Sequence, residues 1–98
     1  MIKIRLKSQE REAIVRCIKA HDSGCTIYLY GSRMDPQAKG GDIDLLVESE
    51  ILSFSDKLII LSQIKEEIGD QKIDLTIGSA KTLKEDVFFA QVKKFLLG

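Results

Sequence analysis

The sequence predicts an α/β domain in which helices cover a small mixed β-sheet. Three segments, 25–30, 42–48 and 72–77, alternate apolar and polar residues as strands do. Three others repeat apolar residues at helical spacing, and the order along the chain is helix, strand, strand, helix, strand, helix. Only about ten residues join the first two strands, which is short for a parallel crossover, so we expect a mixed sheet.

Length and charge limit the kind of protein this can be. The 98 residues suffice for one domain over 1–98 with a single core. Because 15 Lys and Arg residues balance 15 Asp and Glu residues, no net charge draws the chain to nucleic acid or to an anionic membrane. No apolar run suits a signal peptide or reaches the roughly 20 residues of a membrane span. We therefore expect a cytoplasmic protein without direct nucleic-acid or membrane binding.

The first helix is expected to have Ser8 as its N-cap and to close at Gly24. Its apolar face contains Ile14, Cys17, Ile18 and His21. Residues 2–7 before it alternate apolar and basic side chains, which fits a short strand or a lead-in to the helix. Cys17 and Cys25 lack any metal-ligand spacing, so we expect free thiols in a reducing compartment.

The second helix is expected to begin with a capping box of Ser53 and Asp56 and to end at Gly69. Its predicted buried stripe is Phe54, Leu58, Leu61, Ile64 and Ile68.

The last helix is predicted after the turn at Gly78, with a capping box of Thr82 and Glu85. Its predicted apolar face is Phe88, Val92, Phe95 and Leu96.

Acidic residues occupy one face of two predicted strands. Asp42 and Asp44 alternate with inward apolar residues in 42–48, and Asp74 does the same in 72–77. Asp is depleted from strands and like charges repel across a sheet, so a bound cation would offset the cost. Carboxylate oxygens are the ligands that Mg²⁺ takes, together with substrate phosphates. The alternative is that these are solvated side chains on an exposed face.

A second group, Gly31-Ser32-Arg33, follows the first strand. Gly31 allows positive φ and close backbone approach, Ser32 offers a hydroxyl and an amide, and Arg33 can make a bidentate phosphate contact. Taken alone, the same residues fit an ordinary turn at the end of a strand. If the first two strands pair, however, the turn lies beside Asp42 and Asp44, which predicts a phosphate-binding group next to a metal-binding one.

The combined pattern resembles a known signature. Gly31-Ser32, nine intervening residues, Asp42-Ile43-Asp44 and a later Asp74 are similar to the signature of the DNA polymerase beta superfamily, and most of all to its minimal nucleotidyltransferases. The resemblance covers nearly the whole chain and implies a polymerase-beta-like nucleotidyltransferase core. The chain departs from the pattern at Gly41, where many members carry Ser.

The resemblance implies roles for these residues. Gly31 and Ser32 would hold the nucleoside triphosphate, Asp42 and Asp44 would bind one or two Mg²⁺ ions, and Asp74 would complete the metal site and help activate an acceptor hydroxyl. The reaction would transfer a nucleoside monophosphate, AMP from ATP, and release pyrophosphate. Arg33 would help to stabilise charge on the transferred group.

The resemblance also implies a partner. Minimal nucleotidyltransferases typically pair with a small helical HEPN protein, often as antitoxin to a HEPN ribonuclease toxin, which some members neutralise by adding AMP to a tyrosine. A hetero-oligomer with such a protein, which would also be the acceptor, is therefore expected. The alternatives are a non-catalytic antitoxin that neutralises its partner by binding, and transfer to a small molecule such as an aminoglycoside.

Overall fold

The structure, a computed structural model, describes residues 3–98 and contains one four-stranded sheet. The strands are β1 (Thr26–Tyr30), β2 (Ile43–Glu48), β3 (Ile73–Gly78) and β4 (Lys94–Leu96). Their order across the sheet is β3-β2-β1-β4. β1 is antiparallel to β2 and β4, whereas β2 and β3 are parallel. The expected α/β fold with a mixed sheet is confirmed.

The described residues also contain four helices and one 3-10 turn, and all of these except the first helix lie between strands. The helices are α1 (Ser8–Lys19), α2 (Phe54–Ile68), α3 (Ala80–Glu85) and α4 (Val87–Gln91), and the 3-10 turn is Gly31–Met34. Within residues 3–98, no helix has the length and apolar character needed to cross a bilayer. Residues 3–7 form neither strand nor helix and lead into α1, and the rest of the alternating segment 2–7 lies outside the described residues.

The core lies between α1, α2 and one face of the sheet. The strands contribute fully buried Ile27, Leu29, Ile43, Leu45 and Val47, and the helices contribute Ile14, Ile18, Ile60 and Ile64. In β2 the inward residues are the odd-numbered ones, so Asp44 points to the opposite face, as the alternation predicts.

The predicted ends of the first helix are wrong. Lys7, and not Ser8, is the N-cap, because the Glu10 carboxylate accepts a hydrogen bond from the Lys7 backbone N–H at 3.0 Å. The helix ends at Lys19, before Gly24, where the Asp22 carboxylate accepts a hydrogen bond from the Gly24 N–H and forms a turn.

The second helix begins and ends as expected. Ser53 and Asp56 form the capping box, and Gly69 is the C-cap with φ of +90°. The predicted stripe is wrong at its first two members, because Phe54 is 70% exposed and Leu58 is 54% exposed. Ile60 faces the core instead, and Leu58 lies nearly opposite it, since successive residues are about 100° apart around a helix.

The predicted single last helix is also wrong. Ser79 caps α3 in place of the expected box of Thr82 and Glu85, and Asp86 ends α3 while it caps α4. The chain then forms β4, where Leu96 pairs with Tyr28 of β1. The free edge of β1 therefore pairs with a segment for which the spacing of apolar residues predicts a helix.

Candidate active site

The open face of the sheet carries a row of three residues, one from each of β1, β2 and β3. Tyr30 is the register partner of Asp44 across the antiparallel pair, and Asp44 is the partner of Asp74 across the parallel pair. Neighbouring strands lie about 4.8 Å apart, so the row brings two carboxylates next to each other. Asp74 is exposed and Asp44 is half-buried.

Asp42 lies just outside the row, in the residue before β2. Burial raises the pKa of Asp44, and the negative charge of Asp42, two residues earlier in the chain, adds to that rise. The Asp42 carboxylate has one basic neighbour, the Lys72 ammonium at 3.9 Å, and both groups are well exposed. Such a surface pair contributes little to stability.

Within the described part of the chain, the carboxylates of the row have no basic partner. Burial raises the pKa of Asp44, and the negative charges of Asp74 and Asp42 raise it further. Burial likewise raises the pKa of Tyr30, to which Asp74 and Asp44 add, against a hydrogen bond from Thr76 that lowers it. Among residues 3–98 no Lys or Arg forms an ion pair with Asp44 or Asp74. The row is therefore a place where bound positive charge would be stabilised.

Two glycines bring the loop after β1 against this row. Gly31, with φ of +78°, passes so close to Asp44 that a Cβ on it would overlap the carboxylate. Gly41, with φ of +90°, passes equally close to Ser32, so that a Cβ would overlap the hydroxyl oxygen. The predicted neighbourhood of Gly31, Ser32 and Asp44 is thus present. At position 41 a Cβ would require the Ser32 hydroxyl to move, and the positive φ disfavours any L side chain there.

Arg33 does not point at the carboxylates. Its Nη1 donates to the Arg5 carbonyl at 2.8 Å, its Nε to the Gly41 carbonyl at 3.2 Å, and its Nη2 to Gln71 Oε1 at 3.4 Å. All three nitrogens are therefore engaged in fixing the chain. The structure uses Arg33 to hold the loop, and its contact with a phosphate stays a prediction.

Arg5 is a residue of the site that the sequence analysis missed. Its guanidinium donates three hydrogen bonds of 2.8 Å, which go to the carbonyls of Ser32, Asp35 and Gly40. The Arg5 backbone N–H also donates to the Arg33 carbonyl at 2.8 Å. Arg5 and Arg33 thus hold the loop from Ser32 to Gly41 by hydrogen bonds to its backbone carbonyls. The only signal in the sequence is the basic, alternating segment before the first helix.

The donor set suits magnesium. Asp42, Asp44 and Asp74 supply only carboxylate oxygens, the ligands that a hard cation prefers, and Gly31 leaves the space beside Asp44 that a side chain would fill. No three acidic, cysteine or histidine side chains of residues 3–98 already converge as a cage. Mg²⁺ usually binds through one or two carboxylates, waters and substrate phosphates, so a row of this kind fits it.

A cavity of about 370 Å³ lies on the same sheet face, next to the row. Its sheet side includes Tyr28 and Leu46, each two residues along its strand from Tyr30 and Asp44. Its far wall is formed by α3 and α4 and includes Phe89, whose ring contacts Tyr30 edge to face at 5.6 Å between centroids. The cavity and the carboxylates are therefore parts of one surface.

No known protein family matches the chain, and a search of curated proteins finds no significant relative. The functional argument therefore depends on the residues and their arrangement.

Proposed function

We propose that this protein is a Mg²⁺-dependent nucleotidyltransferase that transfers a nucleoside monophosphate, AMP from ATP, onto a hydroxyl group of a partner protein. One observation carries the proposal: Asp44 and Asp74 stand side by side without a basic partner among the described residues, where Gly31 allows the loop to approach Asp44. A purely structural domain gains nothing from such a pair, since like charges opposite each other on a sheet destabilise it.

The triphosphate would bind at the loop side of the row. Ser32 presents an exposed hydroxyl that makes no hydrogen bond within the described part of the chain, and Gly31 exposes its backbone beside Asp44. Arg5 and Arg33 act as positioning residues that hold this loop in one conformation. Preorganised donors of this kind supply much of the rate enhancement in phosphoryl transfer.

Asp42, Asp44 and Asp74 would hold magnesium, which neutralises charge on the triphosphate when it is bound. In the transfer, the acceptor oxygen forms a bond to the α-phosphorus of ATP, and the bond to the bridging oxygen breaks. Pyrophosphate leaves with that electron pair. The hydroxyl proton goes to Asp74, which is the exposed member of the row and so the one an incoming acceptor reaches.

The proposed partner is a HEPN-family protein, by resemblance to minimal nucleotidyltransferases, in a hetero-oligomer. Exposed apolar side chains near the row support docking of a protein: Val87 is 76% exposed, Phe88 56% and Leu96 55%. We place the pair in the cytoplasm, where ATP is supplied and where free thiols such as Cys17 and Cys25 persist.

The second candidate function is a non-catalytic antitoxin that neutralises its partner by binding. The same exposed apolar side chains favour it, because they can bury area against a partner whether or not transfer occurs.

The experiment first identifies a HEPN reading frame adjacent to the gene for this chain and then combines its product with α-labelled ATP and Mg²⁺. We expect label on the partner with the wild type and none with the double variant Asp42→Ala, Asp44→Ala. The matched control is the double variant Glu66→Ala, Asp70→Ala, which removes two exposed carboxylates outside the site and should label as the wild type does.

Partner activity separates the two candidate functions. If the Asp42→Ala, Asp44→Ala variant neutralises the partner as fully as the wild type, the protein is a binder. Transfer is supported if neutralisation disappears together with the label while the complex still forms on size-exclusion chromatography.

A further inference from the structure

β3 lies at one edge of the sheet, and its outer side pairs with no other described strand. It has six residues and pairs only with β2. The Lys72 carbonyl, just before β3, accepts a hydrogen bond of 3.0 Å from the Ile43 N–H of β2. Backbone groups alternate sides along a strand, so the even-numbered residues of β3 direct their N–H and C=O groups at β2. The outward groups are those of the odd-numbered residues, Ile73, Leu75 and Ile77.

The two edges of the described sheet differ in how open they are to another strand. β4, at the far edge, has three residues and begins with the exposed Lys94. Short strands and lysine side chains are features that keep an edge from pairing with another chain. β3 is twice as long, and none of its three outward positions holds a charged residue or a proline. The β3 edge is therefore the one suited to a further strand.

An apolar flank of α2 lies along the β3 edge. α2 contacts α1 through Glu67, which accepts hydrogen bonds from Arg16. Leu58, nine residues earlier, is on the opposite side of the helix, since successive residues are about 100° apart. Phe54, one turn before Leu58, is on the same flank, and both side chains are exposed. A groove of about 260 Å³ joins Phe54 to Ile77 of β3, so the flank and the edge form one surface.

A second copy of this chain matches this surface. If a two-fold axis passes through Leu75, two antiparallel β3 strands pair with Ile73 of each copy opposite Ile77 of the other. Every outward N–H then meets an outward C=O. The same register puts Asp74 opposite Thr76 of the second copy on the open face, so that a carboxylate meets a hydroxyl and not another carboxylate. The edge is therefore complementary to itself.

The same axis brings together the exposed flanks of the two α2 helices. Neighbouring strands are about 4.8 Å apart, so helices that cover the two β3 strands come within the spacing of packed helices, roughly 8–10 Å. Phe54 lies beside Ile77, and Leu75 is two residues, about 7 Å, before it. Because α2 runs antiparallel to β3 and rises about 5.4 Å per turn, Leu58 lies near the axis and faces its counterpart. Burial of these side chains gives the interface an apolar core.

We infer that this protein forms a two-fold dimer through the β3 edges of two copies, which continues the four-stranded sheet into the second copy and places Thr76 of the second copy beside Asp74. The dimer does not depend on the transfer reaction. Leu96, at the β4 edge, stays exposed for the partner protein proposed above. In dilute solution the copies separate, and the exposed side chains of α2 then affect association and not the unfolding of the single chain.

Size-exclusion chromatography with light scattering tests the dimer. The wild type should have twice the mass of the chain at high concentration and approach the mass of one chain on dilution. Phe54→Glu puts a charge into the apolar part of the interface and should weaken association by about tenfold or more. Val87→Glu is the matched control, because it adds the same charge at an equally exposed apolar position of α4, and it should dimerise as the wild type does.

Cysteine cross-linking tests the register. In the proposed pairing, positions 74 and 76 of opposite copies have Cα atoms about 4.5 Å apart, within disulfide range, whereas the same position in the two copies is about 7–8 Å apart. An oxidised mixture of Asp74→Cys and Thr76→Cys should therefore form a disulfide-linked dimer, and neither variant alone should. The native Cys17 and Cys25 are buried and do not compete.

Two outcomes overturn the inference. One is a wild type that stays monomeric over about a hundredfold range of concentration, and this result leaves the proposed function untouched, because label on the partner protein is measured separately. The other is a dimer that Phe54→Glu leaves as tight as in the wild type, or that gives no cross-link in the mixture, since such a dimer forms through another surface. If Phe54→Glu instead abolishes binding of the partner protein to a monomeric chain, the edge belongs to that complex and the dimer is likewise overturned.

Discussion

The side chains on the two faces of the sheet have opposite effects on the stability of the fold. On the covered face, the inward residues of β2 are fully buried against α1 and α2, and each contributes to stability. On the open face, the same strand presents Asp44 opposite Asp74, an arrangement that costs stability unless positive charge is bound. β2 therefore contributes both to the core and to the carboxylate row, and the alternation of its side chains places these two groups on opposite faces.

This difference matters for a chain of 98 residues, which has one small core to offset any cost. The destabilising features of the open face are few: one carboxylate pair, three glycines with positive φ and a loop held by two arginines. Substitutions on the two faces should therefore have different magnitudes and, for the carboxylates, opposite signs.

The largest effect is expected on the covered face. Leu45→Ala removes a fully buried side chain and should lower the free energy of unfolding by about 2–5 kcal/mol, measured by urea denaturation. Leu58→Ala, at an exposed position of α2, is the matched control and should change it by less than about 0.5 kcal/mol. Similar losses in both variants would contradict the assignment of the core.

The second-largest loss of stability is expected for Gly31→Ala, at the point where the loop contacts the open face. The positive φ and the overlap with Asp44 should together cost roughly 1–3 kcal/mol in thermal or chemical unfolding. Gly40→Ala has a similar φ of +65° with open space around it, so it should show the backbone cost alone. Equal losses at the two glycines would mean that Gly31 does not need its close approach to Asp44.

Arg5→Lys should have a smaller effect on stability but a distinct one on the loop. A lysine cannot donate to three carbonyls in fixed directions, and the loss should be roughly 1 kcal/mol. Amide hydrogen exchange should rise between Ser32 and Gly41 and remain unchanged in β2. Lys3→Gln, at an exposed position nearby, serves as the control. Unchanged amide exchange in Arg5→Lys would show that the Arg5 guanidinium does not hold this loop in place.

Asp44→Asn should shift stability least and in the opposite direction. Without Mg²⁺ at pH 7, relief of the like-charge pair should raise the free energy of unfolding by roughly 0.2–1 kcal/mol. The pKa of Asp44 is raised in the folded state. Between 3.8 and that raised pKa, the folded wild type therefore retains a proton that the unfolded chain has lost. Wild-type stability therefore falls as pH rises through the interval above the ordinary value of 3.8, and the advantage of the variant disappears below it.

Asp70→Asn removes an exposed carboxylate outside the row and should show no such pH-dependent gain. A gain in Asp70→Asn equal to that in Asp44→Asn would show that general charge, and not the row, is responsible.

The parts of the fold that follow from local chemistry could be predicted from the sequence. Alternation in 42–48 and 72–77 determines which face Asp44 and Asp74 occupy, and the Ser53 and Asp56 box depends on neighbours three residues apart. The row is therefore visible in the sequence. Its exact pairing depends on strand register, which local patterns do not determine.

The parts that were missed depend on distant partners. Phe95 and Leu96 fit either a helix or a strand by local pattern. Pairing with the free edge of β1, about 65 residues earlier in the chain, makes the segment a strand. Arg33 donates to the carbonyl of Arg5, 28 residues earlier, and the sequence pattern does not predict this contact. Nothing in a sequence pattern marks a backbone carbonyl as the partner of a particular arginine.

The most direct test of the magnesium site is a Mg²⁺ titration of the thermal unfolding midpoint, without nucleotide, of the wild type, Asp44→Asn and Asp74→Asn. The row should give a saturable rise for the wild type, strongly reduced in both variants, so that magnesium removes the stability advantage of Asp44→Asn. An equal rise in all three chains would show that magnesium does not bind at the row, and the proposed function would lose its basis.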